Sequence, residues 1–78
     1  MSTDNQTYGE KAVGLDFNPS GNETVTRIKE LSAELIDLLD AERKKVENPS
    51  EKGALLTLAI RETQTAQMWA VKAATWQT

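Results

Sequence analysis

From residue 23 to the end of the chain, apolar side chains recur at helical spacing, and the recurrence breaks once, at Asn48-Pro49-Ser50-Glu51. Before the break stand Val25, Ile28, Leu31, Leu35, Leu38 and Leu39, with Ile36 widening the stripe. Arg27, Lys29, Glu30, Glu34 and Asp37 fall mostly on other faces. After the break stand Leu55, Leu58, Ala59, Ile60, Ala66, Trp69, Ala70, Ala73 and Trp76. Repeats of three and four residues mark one face of an α-helix. Ser20-Gly21-Asn22-Glu23 has the form of a capping box, and Asn22 is a good cap in its own right. The first helix is predicted to run about 22 residues, or about 33 Å, and to fade through Glu42-Arg43-Lys44-Lys45, where bases suit a C-terminus. For the second, Asn48 is predicted to cap, Pro49 to take the first helical position and Glu51 to return a bond. A short connection makes the two an antiparallel helical hairpin.

Size limits what this hairpin can do alone. A chain of 78 residues that is 38% hydrophobic makes one small domain with a thin core. It has no cysteine for a disulfide and no histidine, the commonest general base and zinc ligand. Small scaffolds without such staples gain stability by associating, so a homo-oligomer is expected. Ala59, Thr63, Ala66, Ala70, Ala73 and Ala74 let helices approach closely, beside the large apolar area of Met68, Trp69 and Trp76. A two-helix hairpin buries only one face of each helix, so Leu39, Leu56 and Trp69 or Trp76 must meet another subunit or stay exposed. Nine bases against twelve acids, a net charge of −3, argue against a general binder of DNA or RNA. No apolar run approaches the roughly 20 residues of a membrane span, and no signal-peptide pattern opens the chain. A soluble cytoplasmic protein is the default expectation.

The segment from Tyr8 to Asn22 looks like neither helix. It holds Gly9, Gly14 and Gly21, three of the four glycines, together with Pro19, the only Tyr and the only Phe. A solvated tail has no use for aromatics between such breakers, so the segment is expected to be ordered and to fold over something. Residues 1–7 are expected to form a flexible N-terminus and 8–78 a single helical domain. Tyr8 and Phe17 can pin the segment to the hairpin, the plainer role for Phe17. They can also stack on a nucleobase, worth about 1–3 kcal/mol per base. Gly9 beside Tyr8 lets a ligand approach the backbone, and Asn18, Pro19 and Ser20 lead into a helix N-terminus that favours phosphate.

Two charged faces carry candidate chemistry. Glu30, Glu34 and Asp37 share one side of the first helix, and Glu34-x-x-Asp37 resembles half of the metal motif of all-helical nucleotide pyrophosphohydrolases. Such enzymes need a facing acidic helix, and the second helix offers only Glu62 after its first turn. A solvated acidic face is the plainer reading, with a magnesium-dependent hydrolase as the rival. Arg61, Thr65, Met68 and Lys72 share a face of the second helix. This is either a solvated basic stripe or an anion site in which Arg supplies a fork, Thr a hydroxyl and Lys a point charge. Lys29 is likewise either a surface lysine or, with Thr26 and Ser32, part of an anion site.

Tyr8-Gly9-Glu10-Lys11-Ala12-Val13-Gly14, Phe17-Asn18-Pro19-Ser20-Gly21, Ile28-Lys29 and Met68-Trp69-Ala70-Val71-Lys72-Ala73 resemble a family of small phage proteins, the anti-CBASS cyclic-oligonucleotide sponges. The resemblance spans Tyr8 to Trp76. It implies kinked helical hairpins assembled into compact hexamers. Members bind cyclic dinucleotides and cyclic trinucleotides at separate intersubunit pockets without cleaving them, which silences a messenger that infected bacteria make to trigger an antiviral effector. Lys29 matches the lysine that meets phosphate in the dinucleotide pocket, and the stacking aromatic is Tyr8 or Phe17. Arg61 and Thr65, one turn apart, match the trinucleotide pocket. Lys11 and Lys72 complete the expected ligand-binding set, alongside Gly9, Asn18, Pro19, Ser20 and Thr26.

The expected protein is thus an all-α sponge in the cytoplasm of an infected bacterial host, with no catalytic residue, metal or cofactor. Its expected partners are the cyclic nucleotides and its own copies, not a nucleic-acid polymer or a membrane. Its rivals are the magnesium-dependent hydrolase and a helical adaptor that binds only protein.

Overall fold

The computed structural model describes residues 5–19 and 21–77, which form three helices and no strand: α1, Tyr8–Val13; α2, Glu23–Arg43; and α3, Glu51–Ala74. The helix within the N-terminal segment has a local cause. Thr7 Oγ1 accepts from the Glu10 N–H at 3.0 Å, and the Glu10 carboxylate accepts from the Thr7 N–H at 3.0 Å. This capping box satisfies two donors at once. The other end closes on Gly14, whose φ of 63° is the left-handed conformation that glycine adopts without a Cβ penalty. The Gly14 and Leu15 N–H groups donate to Lys11 O at 3.2 Å and Glu10 O at 3.0 Å, a Schellman closure.

One hairpin start is capped as expected and the other is not. Asn22 caps α2, accepting from the Val25 N–H at 3.0 Å, while Ser20 of the predicted box lies outside the described residues. Ser50, not Asn48, caps α3, accepting from the Gly53 N–H at 3.0 Å. Asn48 is exposed in the connection, and Pro49, expected in the first helical position, lies ahead of the cap because α3 begins at Glu51.

The inward face of α2 also needs correction. Its buried residues are Val25, Lys29, Ala33, Ile36 and Asp40, whereas Leu31, Leu35 and Leu38 are exposed. Apolar residues occupy more of α2 than α1 and α3 can cover, and the side they do cover carries the small Ala33. There α1 lies close: a Cβ on Gly9 would overlap the Ala33 carbonyl oxygen and stand 2.8 Å from Asp37 Oδ1. The Gly9 N–H donates to that same oxygen at 2.7 Å.

Ile36 and Ile60 are the only large side chains fully withdrawn from solvent among the described residues, joined by Val13 and Ala33 and edged by Ala12, Leu15 and Leu39. Met68, Trp69 and Trp76 stay exposed, and Leu39 and Leu56 are half-buried. The surface is 5640 Å², against about 4,700 Å² for a typical monomer of this mass. The radius of gyration is 13.9 Å, against about 11.5 Å for a compact chain of this length. A single copy therefore leaves apolar area uncovered. No helix among the described residues is long and apolar enough to cross a membrane.

Candidate functional site

Past Gly14 the chain makes a tight turn in which the Phe17 N–H donates to Gly14 O at 2.9 Å. Lys29, a residue of α2 only 5% exposed, reaches this turn from below. Its Nζ donates to Gly14 O at 2.9 Å and to Phe17 O, and lies 5.5 Å from the centre of the Phe17 ring. The ring itself is 73% exposed. Beyond it, Asn18 Nδ2 donates to Asn22 O and to Thr26 Oγ1, both at 2.8 Å, and Asn18 Oδ1 accepts from the Asn22 N–H at 3.3 Å. Gly21, with φ 65°, donates its N–H to Asn18 O at 3.0 Å and returns the chain to α2.

Phe17 and Lys29 border two depressions. One, of about 520 Å³, runs from Lys11 and Gly14 across to Gln67, Met68 and Val71 of α3. The other, of about 300 Å³, lies among Asn18, Pro19, Val25 and Thr75. Lys11, Phe17, Asn18, Pro19 and Lys29 of the expected set are thus gathered in one region. Gln67 and Val71 were not expected there. Gln67 is buried, and its signal in the sequence is a lone amide on a face of small residues. Thr26 supports the Asn18 turn through its hydroxyl. Ser32 lies apart, in a depression with Leu31, Leu35 and Ala66.

Tyr8 lies at the opposite end of α1, half-exposed beside the Arg43 guanidinium, 5.8 Å from its ring centre. Arg43 also donates to Asp40 Oδ1 at 2.8 Å and Thr57 Oγ1 at 3.1 Å, and Lys44 Nζ stands 3.2 Å from Asp40 Oδ2. The Arg43 hydrogen bond, with help from Lys44, holds the Asp40 carboxyl below its ordinary range despite burial. Asp40 in turn raises Arg43. The approach that Gly9 permits is to α2, which corrects the expectation of a ligand at its backbone.

Arg61, Thr65 and Lys72 are exposed on α3. Arg61 borders a depression of about 430 Å³ with Pro49, Ser50, Thr57 and Leu58, which shares no residue with the Phe17 region. Thr65 Oγ1 donates to Arg61 O at 3.2 Å, one turn back. The carboxylates of the metal reading do not act together: Asp37 accepts from Gly9, and Glu30 pairs with Arg27 at 3.3 Å. Among the described residues no three acidic side chains converge to hold a metal.

Residues 10–75 match the family model for the Acb2/Tad1 hairpin domain. The chain belongs to the Acb2/Tad1 family. This is the family of anti-CBASS sponges. Comparison with curated proteins and with solved structures returns no match. The Acb2/Tad1 match covers α2, α3 and all of α1 but its first two residues, so the turn between Gly14 and Asn22 lies within the matched region.

Proposed function

We propose that this chain binds cyclic dinucleotide and cyclic trinucleotide messengers of bacterial CBASS defence and sequesters them uncleaved in the cytoplasm of the infected host. The observation that carries this reading is Phe17, an exposed ring on a hydrogen-bonded turn, beside a buried ammonium and a groove. Phe17, rather than Tyr8, is the stacking residue, because the cation beside Tyr8 is already neutralised by Asp40. Lys11 borders the groove with an exposed ammonium and meets a phosphate of the dinucleotide. Arg61 and Thr65, with Lys72 further along α3, serve the trinucleotide.

The working form is a homo-oligomer, which we take to be a hexamer. Its support is the apolar surface that one copy leaves open, including Leu31, Leu35, Leu38, Met68, Trp69 and Trp76. Symmetry presents each side chain several times around an axis. Two Phe17 rings across a twofold axis can clamp a cyclic dinucleotide, and three Arg61 guanidinium groups around a threefold axis match three phosphates. Residues 8–78 act as one binding domain that needs no cofactor.

The test is to incubate the protein with each cyclic nucleotide, measure what remains free, then heat and assay the released material. Depletion followed by return of intact ligand is expected. Linear products would replace this reading with a hydrolase, and no depletion would leave a protein-binding adaptor.

A further inference from the structure

We propose that Gln67 is a specificity residue, whose buried amide reads the edge of an adenine lodged in the groove between the Phe17 turn and α3. The inference rests on the cyclic dinucleotide reading above and adds to it a choice of base.

Gln67 is only 7% exposed, yet among the described residues no hydrogen bond reaches its side chain. Its polar neighbours on α3 are already engaged. Gln64 Nε2 donates to Ala12 O at 3.5 Å, and Thr63 Oγ1 donates to Ala59 O at 2.7 Å. Leaving a buried amide unpaired is costly, so such a group points to something that completes it. Among the described residues no side-chain nitrogen or oxygen is both sealed from solvent and unpaired. The amide of Gln67 is therefore the part of the side chain that still opens, and it opens onto the depressions it borders.

Two depressions meet it. The one with Leu31, Leu35 and Ala66 carries neither an aromatic nor a cation. The groove of about 520 Å³ carries both, taking Phe17 from the turn, Lys11 from α1, Lys29 from α2 and Gln67 from α3. Its volume is that of a small-molecule pocket. Stacking on a ring tolerates any base. An amide does not, because it presents a donor and an acceptor side by side. Adenine donates through N6 and accepts at N7, the pair that glutamine meets bidentately. It repeats that alternation at N6 and N1, whereas guanine offers one such edge away from its sugar. Guanine O6 and N7 both accept, and set one acceptor against the amide oxygen.

Calorimetric titration with cyclic diadenylate and cyclic diguanylate reads the choice directly. Wild type is expected to bind the diadenylate about tenfold tighter or more, as a good bidentate pair allows. Gln67→Met keeps the bulk of the side chain and removes both polar atoms. It should weaken the diadenylate alone and erase the preference. Gln67→Glu keeps the shape, loses the donor to N7, and should erase the preference too, so a packing defect in one variant does not decide the matter. Phe17→Ala should weaken both ligands alike and leave their ratio. In wild type, the Gln67 side-chain amide resonance should shift on adding the diadenylate and not the diguanylate.

Equal affinity of the wild type for both ligands, or a ratio that the Gln67 variants leave unchanged, would overturn the adenine reader while leaving the sponge in place. Binding of neither ligand by the wild type would instead sink the proposed function, and the reader with it.

Discussion

The two ends of α1 each place an aromatic beside a cation of α2, and they serve different ends. At the Tyr8 end, Arg43 is held by the Asp40 carboxylate and the Thr57 hydroxyl, and Gly9 draws the helices into contact. Charge there is neutralised, and the node joins all three helices. At the Phe17 end, Lys29 donates to two carbonyls and lies over the ring with no carboxylate partner among the described residues, the ring is exposed, and a groove opens to α3. Residue types alone do not separate the two ends; a counter-charge at Arg43 and none at Lys29 is the difference on which the proposed ligand seat rests.

The largest effect should come from the clamped end. Gly9→Ala pushes a Cβ into the backbone of Ala33, which cannot swing aside as a side chain would. Overpacking of this kind costs about 1–3 kcal/mol or somewhat more. At about 4–8 °C per kcal/mol for a domain this small, thermal unfolding by circular dichroism should register it clearly. An unchanged midpoint would break the comparison at its structural end.

Phe17→Ala tests the other end. It should leave the unfolding midpoint nearly fixed and cost about 1–3 kcal/mol of dinucleotide affinity per stacked base, measured by calorimetric titration. Trinucleotide affinity should not change. Equal loss of both ligands would merge two sites that are argued to be separate.

Asp40→Asn should remove about 1.5 kcal/mol of stability, typical of a hydrogen bond to a charged group. It should also flatten the acid limb of the stability curve. The folded carboxyl is held below its unfolded value of about 3.9, so its contribution is complete above roughly pH 4. It disappears as the pH falls through the lower folded value. Denaturant titrations between neutrality and acid would show this, and an acid limb identical in wild type and variant would refute it. Smallest is Tyr8→Leu, expected to cost about 0.5–1 kcal/mol through the lost ring at Arg43 while sparing ligand affinity.

The hairpin was legible because periodicity and breakers agree on it, and Asn22 announced its own capping role. What the stripe on α2 could not reveal is which part of it faces inward, since that depends on where a short third helix docks. α1 itself was readable in principle from Thr7-x-x-Glu10 and Gly14, the box and stop of a one-and-a-half-turn helix. The glycines and Pro19 around it masked the signal. Ser50 displaced Asn48 as a cap because two good caps two residues apart compete, and the connection decides between them. At the site, Phe17 and Lys29 were visible as residue types, but their pairing through two backbone carbonyls is tertiary. So is the ground on which Phe17 is proposed over Tyr8, the Asp40 carboxylate beside Arg43, a residue with no motif to single it out.

Hydrogen–deuterium exchange with and without a cyclic dinucleotide tests most directly where the ligand sits. Added protection across Lys11 to Pro19, around Lys29 and along Gln67 to Val71, with Tyr8 and Arg43 unchanged, is the expected result. Protection confined to the Tyr8 and Arg43 end, with the Phe17 turn unaffected, would contradict it.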